Sequence, residues 1–388
     1  MKRKLIGWVS FFLATIIWSL LFHLFFSSSD ILQKEGISSH ANALAKRHLK
    51  LWVVPKLRKL ELESMRSTNA EWDFMGRSFL VWALANMALR DSSQKKEYLY
   101  VMDQIIDETL KLEKENTPYH FLMDYARFKP WVINPSRSIF IDGEISLMLA
   151  VRCFIKKRSD YLVELDNRVE IMVQQMKKSP VLSSESYPDE CWTFCNSIAL
   201  ASIKIHDVLS GDDHSVFLKQ WFSVAREKLI DQKTGLLISS YTQKGVHLDG
   251  PEGSSIWLVS HALSLIDPVF AKEQYELAKK YLGKSFVGFG WASEWPPSWQ
   301  GPLDVDSGVV IPVLDIGTGS SGLAFIGAAT FEDFDYYKKL RATLSFGGFP
   351  VDVDDSRYYA AGNQVGDAVL LYSEVLGPLW KKIRENNQ

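Results

Sequence analysis

Residues 72–90 read WDFMGRSFLVWALANMALR. Within them Phe79, Trp82, Ala83 and Met87 recur at three- and four-residue steps, with Phe74 about one turn earlier. That period predicts a helix over 72–90. The same signature recurs near 41–65, 95–114, 138–157, 159–177, 190–209, 214–230, 254–266, 269–283, 307–329, 334–345 and 361–384. Around 41–65, His48, Leu51 and Trp52 form an apolar face and Lys56 and Lys59 a basic one. Strand signals are sparse, the best being 236–241 and 309–313. About twelve helices joined by loops point to an all-α fold. Six helical hairpins closed into a ring, an (α/α)6 toroid, use that inventory without leaving an unpaired edge. A helical solenoid is the other arrangement, but no fixed repeat period supports it. The segments 115–137, 178–190, 232–253 and 284–306 are longer than ordinary connections, and long loops often carry function.

Composition narrows the function. Of 388 residues, 47% are apolar and 23% charged, which excludes global disorder. A net charge of −2 leaves no basic excess to neutralise phosphates, so no nucleic-acid partner is expected. Three cysteines exclude a disulfide-stapled scaffold. Aromatics reach 13%, with 13 tryptophans, enough for a thick core or for a cavity that takes an apolar or flat ligand.

The N-terminus carries Lys2, Arg3 and Lys4, then an uncharged run from Leu5 to Phe26. As a helix that run would extend about 33 Å, enough for a bilayer core of roughly 30 Å. It is longer than the apolar part of a cleaved signal peptide, so a signal anchor is expected over 5–26. The basic cluster would place residues 1–4 in the cytoplasm and the remainder outside, a single-pass membrane localisation. A polar linker over 27–42 and one domain over 43–388 complete the expected organisation.

Several motifs could carry chemistry. Asp142-Gly143-Glu144 opens an apolar helix, where carboxylates serve as caps or, turned inward, as an acid or base. Ser186-Tyr187-Pro188-Asp189-Glu190-Cys191-Trp192-Thr193-Phe194-Cys195 also opens a helix. Cys191 and Cys195 share a face, as buried structural thiols or as proton carriers. His206 lies about 16 Å further along that helix, out of reach of Cys195. Two cysteines at this spacing lack two further ligands, so no metal is expected. His247-Leu248-Asp249-Gly250-Pro251-Glu252-Gly253-Ser254-Ser255 is a turn running into a helix. There Asp249 and Glu252 are cap residues or an acid/base pair. The loop over 286–306 interleaves Trp291, Trp295 and Trp299 with Glu294, Asp304 and Asp306. That mixture suits sugar stacking, or a cavity that shelters a cation against aromatic faces.

From about 186 to 282 the chain resembles the linalool dehydratase/isomerase family. The shared frame is Pro188-Asp189, Cys195-Asn196-Ser197, Leu229-Ile230-Asp231, Gly235, Ser240-Tyr241, Trp257, Asp267-Pro268 and Phe270. Asp304-x-Asp306-x-Gly308-Val309 follows, and weaker similarity runs back through Leu147-Met148 and Gly143 to about residue 72. The resemblance implies an (α/α)6 barrel, a homo-oligomer and a cofactor-free pocket that dehydrates or isomerises a small apolar alcohol. Cys195 matches one of the family's two pocket cysteines; Ser186 stands where the other would be, and Glu144 where its histidine would be. Tyr241 matches a pocket tyrosine. Those departures shift the chemistry from thiol and imidazole toward carboxyl groups.

The expected function is therefore a membrane-anchored lyase or isomerase acting on an isoprenoid-like alcohol without a cofactor. Glu144, Cys195, Asp189 and Tyr241 are its catalytic candidates. Ser186, Cys191, Trp192, Asp249, Glu252, Trp291, Trp295 and Asp304 are its substrate-binding candidates. A carbohydrate-active hydrolase or lyase on the same toroid is the first alternative, and a non-catalytic tethered binding component the second.

Overall fold

The computed structural model describes residues 2–21, 24, 32 and 35–386, with the side chains of Leu20 and Asp304 outside that description. Three helices come first: α1 (Lys2–Leu21), α2 (Ser39–Val53) and α3 (Pro55–Thr68). Then follow α4 (Ala70–Arg90), α5 (Lys95–Asn116), α6 (Ile139–Ile155), α7 (Ser159–Met176), α8 (Thr193–Ser210) and α9 (Ser215–Lys228). The series ends with α10 (Gly253–Leu263), α11 (Pro268–Tyr281), α12 (Thr318–Thr330), α13 (Phe334–Gly347), α14 (Gln364–Val375) and α15 (Pro378–Glu385).

The even-numbered helices from α4 to α14 form a closed ring. α4 packs on α6, α6 on α8, α8 on α10, α10 on α12, α12 on α14, and α14 back on α4. The helices between them stand outside: α5 against α4 and α6, α7 against α6 and α8, α11 against α10, and α13 against α12. α9 meets α11 through Phe222 and Phe270, whose rings lie 5.7 Å apart. α2 covers the seam from the α14 side and α15 from the α4 side. This is the six-hairpin ring expected from the helix inventory.

The sequence separates the two layers. Along α6 every residue from Ile139 to Cys153 is buried, as a helix enclosed on all sides requires. α5 instead buries Tyr98, Leu99, Val101, Met102, Ile105, Ile106 and Thr109, one stripe of an amphipathic helix. Ring helices approach closely where a side chain is missing: a Cβ on Gly143 would stand 3.2 Å from the Ala199 backbone nitrogen. Toward the C-terminal ends of the ring helices, aromatic side chains fill the centre. Trp82 meets Phe79 at 5.0 Å and Tyr372 at 5.7 Å, and His261 stacks on Trp380 at 5.0 Å.

Among the described residues, ten short strands lie in the connecting segments: β1 (Cys191–Trp192), β2 (Ser240–Tyr241), β3 (His247–Asp249), β4 (Gly283–Phe286) and β5 (Phe289–Ala292), then β6 (Asp304–Val305), β7 (Gly308–Ile311), β8 (Ile316–Gly317), β9 (Pro350–Val353) and β10 (Ser356–Tyr359). β1-β2-β3 and β6-β7-β8 are three-stranded and antiparallel, whereas β4-β5 and β9-β10 are hairpins.

Several expectations are corrected. Among the described residues no helix is long and apolar enough to cross a membrane, so the single-pass localisation and the anchor over 5–26 are overturned. α1 is described over Lys2–Leu21. Most of the run beyond Leu21 lies outside the described residues, as does most of 27–34. α2 already begins at Ser39, where the Ser38 hydroxyl caps the Ala41 N–H at 3.0 Å. The single helix expected over 41–65 breaks at Val54, because Pro55 forces its predecessor out of the helical region. The helix expected over 307–329 starts only at Thr318, the preceding residues forming β7 and β8. The helix expected over 361–384 splits at Gly377 and Pro378.

Candidate active site

Each ring helix is followed by an outer helix that carries the chain back, so the N-termini of the ring helices gather at one end. Each brings unpaired N–H groups and the positive end of its dipole. The long loops converge on that end, and carboxyl groups crowd there.

Glu71 lies in the first turn of α4, where the Asn69 side chain caps its N–H at 2.8 Å. The Tyr187 hydroxyl donates to Glu71 Oε1 and accepts from the Met123 N–H at 3.1 Å. Tyr125 stacks on Tyr187 with ring centres 4.5 Å apart, and its hydroxyl donates to Asp306 Oδ2 at 3.2 Å. The Asp306 carbonyl accepts from Asn69 Nδ2 and from Trp72 Nε1, both at 3.0 Å. The turn between β6 and β7 is thus strapped across the start of α4. Glu190 joins from the loop before β1, accepting from Trp192 Nε1 at 2.6 Å.

Burial pushes the Glu71 carboxyl up to about 7; the Tyr187 hydrogen bond opposes this, and the charges of Asp306 and Glu190 reinforce it. Burial also raises Glu190, against the Trp192 hydrogen bond. Tyr125 and Tyr187 are raised by burial and by the charge of Glu71, so both remain neutral phenols.

A second group surrounds the start of α10. Burial and the charges of Glu294 and Asp249 hold Glu252 well above the usual carboxyl range. Glu294 Oε1 accepts from the Ser254 N–H at 3.0 Å and from its hydroxyl at 2.5 Å, while the buried Oε2 has no partner. Asp249 Oδ2 accepts from Ser240 at 2.8 Å. Glycine at 253 is required, since a Cβ there would lie 2.0 Å from Ser320 Oγ and 2.4 Å from the Ser293 carbonyl.

A third group lies deeper. Asp142 turns away from the ring's interior to Arg168, at 2.6 Å, and to Arg137. Glu144 is 1% exposed, and neither of its oxygens has a hydrogen-bond partner. Burial lifts its carboxyl to about 8, tempered by the nearby Ser78 hydroxyl. Cys195, in the first turn of α8, is raised well above its ordinary value by burial; the Ser186 hydroxyl moderates this, and the charges of Glu71 and Glu144 add to it. Cys195 is therefore a neutral thiol within electrostatic reach of both glutamates, not a thiolate nucleophile. Tyr241 bonds Ser183 Oγ at 2.8 Å, and burial together with the neighbouring Cys191 keeps its phenol protonated.

Of the expected catalytic residues, the fold brings together Glu144, Cys195 and Tyr241, with Ser186 and Cys191 beside them. Trp192, Asp249 and Glu252 lie by the starts of α8 and α10, at the carboxyl-rich end. Asp189 does not orient Cys195. It occupies a tight turn at φ 54°, its N–H donates to Glu185 Oε1 at 2.5 Å, and its Oδ1 accepts from the Gln243 N–H at 3.3 Å. Trp291 and Trp295 serve their own loops, donating to the carbonyls of Leu314 and Pro302, each at 2.9 Å. Trp295 also packs over Gly301, where a Cβ would come within 2.0 Å of the indole. The Asp304 side chain lies outside the described residues. Glu71, Tyr125 and Tyr187 were not among the expected site residues, and only the folded chain joins them. A cleft of about 270 Å³ opens beside Trp72, bordered by Tyr358, Asn363 and Asp367 at the start of α14.

No protein-family model matches the chain. It is similar in structure to a GH76 alpha-mannanase of Bacteroides thetaiotaomicron, at 12% identity over 80% of this chain and 87% of that one, with a TM-score of 0.47. It is similar to a possible GH105 family member of Salmonella enterica serovar Paratyphi A, at 14% identity over 80% and 83%, with a TM-score of 0.48. A polysaccharide lyase gives 10% identity over 82% and 92%, with a TM-score of 0.47. At this distance the likeness carries no argument, and any chemistry rests on the residues above.

Proposed function

We propose that this protein is an acid/base enzyme that cleaves a glycosidic bond at the carboxyl-rich end of its ring. The observation that carries the reading is Glu71, a carboxyl group that titrates near 7, set among Tyr125, Tyr187, Glu190 and Asp306. A carboxylic acid of that strength is protonated in part at neutral pH and suits proton delivery to a leaving sugar oxygen. Asp306 and Glu190 are the candidates for the partner carboxylate, which would activate water, attack the sugar or remove a ring proton. The stacked tyrosines and Trp72 offer flat faces of the kind that sugars pack against. The cleft beside Trp72 gives a chain-like substrate room to continue past the site.

The test uses the purified full-length chain on a panel of neutral and acidic polysaccharides, scored for new reducing ends and for unsaturated products. Glu71→Gln should lower turnover at least about 100-fold. Full activity in that variant would overturn the assignment. So would turnover of terpenoid alcohols with no glycan cleaved.

That last outcome is the second reading, dehydration or isomerisation of an apolar alcohol. One observation favours it: the Glu144 carboxyl sits without a hydrogen-bond partner near Cys195 and is held protonated up to about 8. In that case Glu144→Gln, rather than Glu71→Gln, would abolish activity.

A further inference from the structure

The far end of α8 carries a second cluster that the proposed chemistry does not use. His206 and Asp207 occupy its last turn, and His214 precedes α9. One donor atom from each of these three residues lies within 4.8 Å of the others. Asp207 is held from two sides: its Oδ2 accepts the His214 N–H at 2.9 Å, and its Oδ1 lies 2.6 Å from His214 Nδ1. His206 is 3% exposed. Its Nε2 is 2.8 Å from Asp166 Oδ1 of α7, which fixes the ring. Nδ1 is buried, has no hydrogen-bond partner among the described residues, and faces Asp207 Oδ1 at 3.9 Å. An imidazole nitrogen and a carboxylate oxygen facing each other at this separation in a buried site leave room for a positive ion between them.

We propose that His206, Asp207 and His214 bind one divalent transition-metal ion of the zinc class. Two imidazoles and a carboxylate are a common donor set for such an ion, with a fourth position left for water. Donors of a tetrahedral ion at about 2.0–2.1 Å stand roughly 3.3 Å apart, so the 2.6 Å and 3.9 Å separations here bracket the required spacing. Asp166 on the far nitrogen of His206 supplies the carboxylate–histidine support that orients a metal-binding ring. The C-terminal end of α8 adds the negative end of its dipole, and Asp212 and Asp213 add further negative charge. Lys204 and the two imidazoles act as basic groups on these aspartates. Cys195, at the opposite end of α8, is about 16 Å away along the axis. The ion would therefore staple α7, α8 and the α8–α9 turn, and take no part in proton transfer at Glu71.

The full-length protein, dialysed against chelator, is titrated with zinc chloride by calorimetry and with cobalt chloride by visible absorption. One equivalent should bind, with the intense absorption of tetrahedral cobalt. His214→Gln, at a partly exposed position, should remain folded by circular dichroism and lose at least tenfold in affinity. Asp166→Asn should weaken binding about tenfold through the orienting hydrogen bond. Absence of saturable one-to-one binding in the wild type overturns the proposal, as does unchanged affinity in His214→Gln. A lone protonated His206 paired with its aspartates would give that negative result.

Discussion

Glu71 holds its proton to about pH 7 because burial opposes its charge more than the Tyr187 hydroxyl favours it. As a proton donor it works in its neutral form, so kcat/KM on a glycan should fall as pH rises through about 7. That limb should vanish in Glu71→Gln. Tyr187→Phe removes a donor to the carboxylate, so the limb should move to higher pH, which a pH–rate profile will show. Glu144 has a separate consequence for stability. The folded protein keeps its proton to about 8, whereas the unfolded chain releases it near 4.5. Between those values the folded state binds more protons, so stability falls as pH rises, by at most about 5 kcal/mol. Urea unfolding at pH 5 and pH 8 should show that loss in the wild type and a smaller one in Glu144→Gln. At this scale the sequence exposed part of the site. Glu144, Cys195 and Ser186 stood out as polar groups in apolar helix starts, and the fold gathers them. Glu71 did not stand out, because a carboxylate in a first helical turn is the commonest complement to a helix dipole. What distinguishes it is a phenol 116 positions along the chain. Asp189 misled because its neighbours look like a helix start, whereas its positive φ places it in a turn.

The strap between β6 and β7 rests on three donors: Asn69, Trp72 and Tyr125. Asn69→Ala removes both the cap of α4 and one of those bonds, and should cost about 1–2 kcal/mol in denaturant unfolding. It should also loosen the 304–308 turn, read as faster proteolysis there. Gly253→Ala tests the start of α10. With Ser320 and the Ser293 backbone inside contact distance, it should destabilise by more than about 2 kcal/mol or lower the yield of folded protein. Helix boundaries were legible wherever a periodic run met a clear stop. They failed at Pro55 and at Gly377-Pro378, where an apolar pattern continues across a break in the backbone. They failed again over 307–317, where alternating residues pair as strands inside what resembles a helical run.

The whole-molecule reading followed from counting hairpins, since an even set of amphipathic pairs can bury its faces by closing into a ring. The N-terminal run is apolar in the sequence, yet among the described residues no helix is long and apolar enough to cross a membrane. Every side chain from Lys2 to Ser19 is exposed, so removing residues 2–21 should leave the melting temperature within about 2 °C by calorimetry. Closure itself depends on one seam. Arg90 donates to the carbonyls of Val375 and Leu376 at 2.8 and 3.0 Å, and the Leu379 N–H donates to Asn86 at 3.1 Å. The first ring helix therefore waits for the last. A nascent chain still lacking α14 would be an open horseshoe, with the greasy flanks of α4 and α12 bare to water or to any chaperone at hand. Assembly of so long-range a joint is intrinsically slow. Ribosome-stalled chains should accordingly stay protease-sensitive along their whole length until α14 emerges, and then become resistant in a single step.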